Sequence, residues 1–115
     1  MKKILIFIIF TINIFSQTYV EIMSNHLDKF NIKNKDQIIN NIIENCKKYN
    51  VNPLLVTAMM QQESGFKHNI KSSAGAIGIL QLMPFTAKDL GVNPYDLEHN
   101  ILDRVGRADY SAFPL

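Results

Sequence analysis

The chain has 115 residues, of which 47% are hydrophobic, and it carries 12 basic and 10 acidic side chains. This length is enough for one domain of ordinary size and not for two. The formal net charge of +2 provides no strong basic field of the kind that binds nucleic acid or anionic lipid. A nucleic-acid-binding function is therefore not expected.

The first sixteen residues have the pattern of a secretory signal peptide. The chain starts Met-Lys-Lys, residues 4–15 are apolar at all but two positions, and small Ser16 follows. This run is shorter than the roughly 20 apolar residues of a spanning helix. We predict cleavage after Ser16, export to the periplasm or cell envelope, and no stable membrane insertion afterwards. A buried N-terminal helix and an uncleaved anchor are the alternatives. Cleavage leaves ten basic and ten acidic side chains, a net charge of zero.

Apolar periodicity predicts a mainly α domain. Residues 17–30 show a weak helical pattern, and residues 36–49 show a stronger one built on isoleucine. Asn34 and Gln37 are spaced as a capping box for the second of these helices. The weak helix is expected to place four apolar side chains on one side. They are Val20, Met23, Leu27 and Phe30.

Capping residues and prolines predict three further helices. Asn52 is a good N-cap and Pro53 suits the first helical position, so a helix is expected over residues 53–64. Pro84 and Gly91 bracket a short helix over residues 85–90, and another begins at Leu97 after a turn at 93–96. The helix at 53–64 is apolar nearly all round, which predicts that it is buried.

Glu63 stands out at the end of that apolar helix. A carboxylate there is costly unless it is paired, solvated or used, and the helix dipole disfavours its negative charge. These conditions suit a proton donor. From the residues alone, a catalytic acid and an ordinary exposed helix-end acid both stay open.

Other reactive side chains give no sign of a metal or nucleotide site. His26, His68 and His99 have no metal-like spacing, so surface or capping roles are expected for them. Cys46 is the single cysteine and lies on the apolar face of the helix at 36–49, which predicts a buried small hydrophobe. Gly75 and Gly78 lack the spacing of a phosphate-binding loop.

Two motifs in the expected order resemble the soluble lytic transglycosylase-like family. Glu-Ser-Gly-Phe occupies residues 63–66, and Ser-Ser-Ala-Gly-Ala-x-Gly-x-x-Gln-Leu-Met-Pro occupies residues 72–84. The matching run extends from about residue 52 to 101. The resemblance implies a lysozyme-like α-helical fold of the goose-type lysozyme and lytic transglycosylase kind. It also implies peptidoglycan glycan strands as substrate and no metal or organic cofactor.

The resemblance implies a role for each matching residue. Glu63 corresponds to the single acid/base that cleaves the MurNAc–GlcNAc β-1,4 bond with formation of 1,6-anhydro-MurNAc. Ser64 corresponds to a serine that orients this carboxylate or contacts the sugar. Gln81 corresponds to a substrate-binding glutamine, and Gly78, Ile79 and Leu80 to the backbone of the substrate groove.

Two alternatives to a lytic transglycosylase remain at this point. A lysozyme-like hydrolase would use water and a second carboxylate, for which Asp89, Asp96 and Glu98 are the nearest acids in sequence. An inactive remnant would at most bind peptidoglycan. A secretion or conjugation apparatus is a further expected partner, because family members serve such assemblies.

The expected organisation is a signal peptide at 1–16, an N-terminal helical segment at 17–50, a catalytic core at 51–102 and an atypical tail at 103–115. Family members continue with an Ala-Tyr-Asn type motif, whereas Tyr110 here precedes Ser111. Both arginines, Arg104 and Arg107, lie in the tail. The sequence therefore predicts a domain that is incomplete at its C-terminus and weakly active or inactive. A short natural tail is the alternative.

Overall fold

The computed structural model describes the backbone of residues 2–107 and the side chains of residues 3–6 and 16–107. Five α-helices and one short 3₁₀ helix make up most of this part of the chain. In order they are α1 (Lys2–Leu27), the 3₁₀ helix (Asp28–Phe30), α2 (Lys35–Tyr49), α3 (Pro53–Ser64), α4 (Pro84–Leu90) and α5 (Leu97–Arg107). The predicted mainly α fold is confirmed. Among residues 2–107, no helix is both long and apolar enough to cross a membrane.

The ends of α2 and α3 show how local sequence sets the helix boundaries. Asn52 accepts a hydrogen bond from the Leu54 amide at 2.9 Å, as predicted for the N-cap of α3. The predicted capping box of α2 is wrong, because the Asn34 side chain makes no capping hydrogen bond. Lys35 at this end pairs instead with Asp28 at 2.6 Å, which joins the start of α2 to the 3₁₀ helix.

The inward face predicted for residues 17–30 is only half right. Met23 and Leu27 are fully buried, whereas Val20 and Phe30 are exposed. The α-helix ends at Leu27 and a 3₁₀ helix follows, so Phe30 leaves the helical register of the other three. Its ring lies edge-on to Phe66, with 4.9 Å between the ring centroids.

The prediction that α3 is buried all round is wrong for Leu54 and Ala58, which are exposed. Val56, Met59 and Met60 face the core. Helix α3 packs against α1 and α2, and the opposite side of its surface remains open to solvent. Its apolar composition therefore overstates its burial.

The core is centred on α2, which packs against α1, α3 and α5. Isoleucines of α2 meet methionines of α3 and the apolar face of α5. The fully buried apolar members of this core from α2, α3 and α5 are Ile38, Ile39, Ile42, Val56, Met60 and Ile101. Cys46 is buried among them, as predicted, and burial raises the pKa of its thiol to about 12.

Helix α5 continues through the predicted start of the tail at residue 103. Asp103 and Val105 are buried. Arg107, one helical turn after Asp103, donates two hydrogen bonds to its carboxylate, and the one from Nε measures 2.8 Å. This pairing raises the pKa of Arg107, chiefly through the side-chain hydrogen bond to Asp103. The remainder of the predicted tail, with Tyr110, lies outside the described residues.

Candidate active site

Glu63 lies in the last turn of α3 and is half-buried. The chain turns sharply just beyond it, because Gly65 has a left-handed φ of 59° and its amide closes the helix onto the Gln61 carbonyl at 2.9 Å. The last turn of α3 contains no basic side chain. Among the side chains of residues 3–6 and 16–107, none forms a hydrogen bond or ion pair with the Glu63 carboxylate. The carboxylate is thus held by the helix and is not neutralised by an internal partner.

Ser64 follows Glu63 and is buried. Its hydroxyl donates a hydrogen bond to the Met60 carbonyl at 3.0 Å, one turn back in α3. This bond is the usual way in which a serine is satisfied inside a helix. In the structure described, Ser64 therefore supports the last turn of the helix that holds Glu63.

The loop between α3 and α4 folds back on itself through Ile77. Isolated antiparallel bridges join Ile77 to Lys71 and to Leu82, and Ile77 and Leu82 exchange two hydrogen bonds of 2.9 Å. Ile79 and Leu80 point into the core and are fully buried. Their side chains anchor the loop in the core, and neither residue has exposed surface in this structure.

All four amides of residues 78–81 donate hydrogen bonds within the domain. Gly78 donates to the Ile70 carbonyl at 3.0 Å, and Gln81 donates to the Gly78 carbonyl at 3.1 Å. The amides of Ile79 and Leu80 donate to side chains, at 3.1 Å and 2.9 Å respectively. This segment therefore has no free backbone amide to donate to a ligand.

Gln81 is the polar side chain of this segment, and it is half-buried. It adopts a left-handed φ of 52°, and its Nε2 donates to the Gly78 carbonyl at 2.8 Å. That bond fixes the amide plane. Its Oε1 makes no hydrogen bond among the described residues and is available as an acceptor.

The partners of the Ile79 and Leu80 amides are His68 and Asn100. We call these two side chains, together with the 77–80 backbone that they hold, the polar clamp. Both lie against Gly78: a Cβ placed on it would be 2.6 Å from Asn100 Nδ2 and 2.7 Å from the ring of His68. Such distances require glycine at this position, which also has a φ of 82°.

Asn100 forms the core side of the clamp and is fully buried on α5. Its Oδ1 accepts from the Leu80 amide at 2.9 Å, and its Nδ2 donates to the carbonyls of Ile77 at 2.8 Å and Pro94 at 2.9 Å. The sequence analysis missed this role. The signal was present, because the buried helical spacing of Leu97, Ile101 and Val105 places Asn100 on the inward face.

His68 forms the outer side of the clamp, and the prediction of a surface or capping role is wrong for it. Its Nδ1 accepts from the Ile79 amide at 3.1 Å and its Nε2 lies 2.6 Å from the Tyr95 carbonyl. His68 follows Glu63 by five residues, so it joins the segment after the helix end to the 78–81 segment. Nothing in the sequence pattern distinguishes this histidine from His26 or His99.

Comparisons with known proteins identify the family of this chain. The family model of the transglycosylase SLT domain matches residues 40–105, which is more than half of the chain. The chain belongs to the transglycosylase SLT domain family. The predicted lysozyme-like fold is thereby confirmed, and the match includes Glu63 and the whole polar clamp.

One curated relative of the SLT domain is a protein named "Transglycosylase" from Enterobacteria phage PRD1. It is 49% identical over 55 residues, which cover 47% of this chain and 21% of the relative. The matched stretch thus spans about a fifth of that relative's length. No solved structure matches the chain.

Proposed function

We propose that the protein is an exported peptidoglycan lytic transglycosylase that cleaves the MurNAc–GlcNAc β-1,4 bond. The observation that carries the proposal is Glu63, a half-buried carboxylate without an internal partner at the end of α3, within a chain of the SLT family. A carboxyl group held in this way can give up a proton and take one back without first breaking a salt bridge.

The reaction balances with Glu63 alone. The Glu63 carboxyl protonates the glycosidic oxygen as the bond from C1 of MurNAc breaks, and the GlcNAc end leaves as an alcohol. The carboxylate then accepts the proton of the C6 hydroxyl of the same MurNAc, whose oxygen bonds to C1 and closes the 1,6-anhydro ring. Glu63 ends protonated as it began, and no water is consumed.

Substrate binding is assigned to Ser64, Gly78, Ile79, Leu80 and Gln81. The amides of residues 78–81 are already bonded and Gly78 O accepts twice from Gln81, so Gln81 Oε1 would be the atom that accepts from a sugar hydroxyl or acetamide N–H group. Holding the sugar at a fixed distance from one carboxyl group supplies much of the rate in such a mechanism. The proposed substrate is a peptidoglycan glycan strand.

A lysozyme-like hydrolase is the second candidate, and it would need another carboxylate opposite Glu63. Asp96 already accepts from the His99 amide at 2.9 Å, as the cap of α5. Asp89 and Glu98 are exposed on other helices. This arrangement favours the single-carboxylate reaction.

The proposal of export is supported by the packing of α1. Ile4, Leu5 and Ile6 are 59–67% exposed, whereas Met23 and Leu27 are fully buried. The buried contacts of α1 among the described side chains thus lie after Ser16. Action outside the cytoplasm follows from the proposed substrate. An apparatus for secretion or conjugation stays a prediction, since none of the comparisons names one.

The products formed from isolated peptidoglycan test the proposal. The purified protein should release muropeptides with anhydro ends, read by mass spectrometry. Glu63→Gln should lower the rate by at least about 100-fold, the scale of lost acid–base catalysis, while the exposed control Glu44→Gln should retain it. Reducing ends would establish the hydrolase instead. Binding to peptidoglycan without any product would establish a binding protein. The mass of the protein recovered after export gives the cleavage site.

A further inference from the structure

We infer that His68 is a positioning residue for the reaction, acting through the Ile79 amide on the proposed substrate-binding segment at 78–81. This inference rests on the proposed function. It concerns one nitrogen atom of the ring, Nδ1, and the hydrogen bond of 3.1 Å that it accepts.

The two contacts of His68 determine its tautomer. The Tyr95 carbonyl can only accept, so Nε2, at 2.6 Å, must bear the proton. The Ile79 amide can only donate, so Nδ1 must present its lone pair. The ring is therefore neutral in this arrangement and bonded at both nitrogens. It bridges the turn before α5 to the segment before Gln81.

The position of the ring explains why this contact affects the site. The ring and Asn100 both lie against the Cβ position of Gly78, and Gly78 O is the atom that fixes both the amide and the side chain of Gln81. A shift of residues 78–79 therefore moves Gln81. His68 is separated from Glu63 by a short segment that starts with the tight turn at Gly65. The same histidine thus sets the spacing between the proposed acid and the proposed sugar contacts.

His68 can be replaced without opening a closed cavity. It is half-buried and lies on the wall of a cleft of about 620 Å³, together with Phe30, Lys33 and Lys67. Two near-isosteric substitutions separate its two bonds. His68→Asn places an acceptor where Nδ1 stands and loses the bond to Tyr95. His68→Gln places its donor where Nε2 stands and loses the acceptor for Ile79. Each variant is the matched control of the other.

The experiment compares the full chain with both variants on a soluble GlcNAc–MurNAc glycan, and measures kcat, KM, thermal unfolding and exchange of the Ile79 amide proton. His68→Gln should raise KM about tenfold, the equivalent of one lost hydrogen bond, with kcat changed less than about threefold. The Ile79 amide should exchange about tenfold faster in this variant. In His68→Asn, which keeps an acceptor for Ile79, the KM and the exchange rate of the Ile79 amide should both stay within about threefold of the wild-type values.

The outcomes that overturn the inference are distinct from failure of the proposed function. If the wild type forms product and the two variants have equal KM, His68 has only a structural role and the inference alone is wrong. If His68→Asn keeps Ile79 protected but raises KM as much as His68→Gln, the Ile79 amide does not act as stated. If the wild type forms no product, the proposed function fails and the positioning role with it.

Discussion

The helical core and the polar clamp hold the same domain together in different ways. In the core, Ile38, Ile42 and Met60 are buried by many interchangeable apolar contacts. In the clamp, two side chains satisfy particular backbone atoms through five hydrogen bonds, two made by His68 and three by Asn100. Core contacts tolerate a change of shape at moderate cost. A clamp bond has no substitute if its one partner is removed.

This difference predicts which region determines stability and which determines the geometry of the site. Apolar burial is spread over α1, α2, α3 and α5 and sets whether the domain folds. The clamp sets where the backbone of 77–80 lies relative to the end of α3. Substitutions in the clamp should therefore lower the free energy of unfolding by more than the change in side-chain volume predicts. Conservative substitutions in the core should lower it only by the amount that the lost volume predicts.

Asn100→Leu should have the largest effect. The side chains have similar volume, but leucine leaves the Leu80 amide and the Ile77 and Pro94 carbonyls without their partner. The bonds to Leu80 and Ile77 are buried, and each buried unsatisfied group costs about 1–3 kcal/mol, so the free energy of unfolding should fall by about 2–6 kcal/mol. Urea denaturation measures this loss.

The neighbouring core substitution Ile101→Val is the control for Asn100→Leu, and it should cost only about 0.5–1.5 kcal/mol. Ile101 is fully buried on the same helix but forms no part of the clamp. If Asn100→Leu cost less than its control, the distinction between clamp and core would be wrong.

Gly78→Ala should have the next largest effect, and Gly75→Ala is its matched control. Both glycines have positive φ, 82° and 94°, so both alanines bear a backbone cost of about 1–2 kcal/mol. Only the Cβ at 78 meets other atoms, those of Asn100 and His68; nothing lies within 4 Å of a Cβ at 75.

We expect the free energy of unfolding to fall by about 2–4 kcal/mol for Gly78→Ala and by about 1–2 kcal/mol for Gly75→Ala. Urea denaturation measures both losses. The difference isolates the cost of pushing the two clamp side chains apart. Equal losses would mean that the His68 and Asn100 side chains move away from the added Cβ at no cost in stability. That result would also argue against the positioning role of His68.

The comparison of core and clamp also explains what could be read from the sequence. Helices α2 and α3 were predicted almost to the residue, because isoleucine periodicity and the Asn52–Pro53 pair act within a few positions of the chain. The capping box at Asn34 failed because Asn34 has φ −108° and ψ 35°, outside the extended backbone conformation of an N-cap. Exposure of Leu54 was missed because composition does not reveal which neighbours a helix has.

The site was predicted only in part for the same physical reason. Glu63 could be singled out from its place at a helix end, and the family match covers it. The roles of His68 and Asn100 depend on contacts that span 11 to 27 positions of the sequence. A buried polar residue on an apolar face, as at Asn100, was the one local sign of the clamp.

At neutral pH Cys46 gives the smallest expected effect, and it probes the core alone. Its pKa is raised from 9.0 to about 12 by burial, so the unfolded chain loses the thiol proton at lower pH than the folded one. Unfolding then releases a proton between these values, and the free energy of unfolding should fall as the pH rises from 9.0 towards 12. Below pH 9.0 the thiol contributes no pH dependence.

Urea denaturation of the wild type and Cys46→Ala at pH values below and above 9.0 measures this contribution, because the other titrating groups are common to both. The wild type should lose more stability than the variant on going to about pH 11. The native thiol should also resist thiol reagents until the chain unfolds, since the thiolate is the reactive form. Parallel pH profiles together with rapid labelling of the native protein would place Cys46 in contact with solvent. Solvent would then reach the core beside α2, and the polar clamp would be the better protected of the two regions.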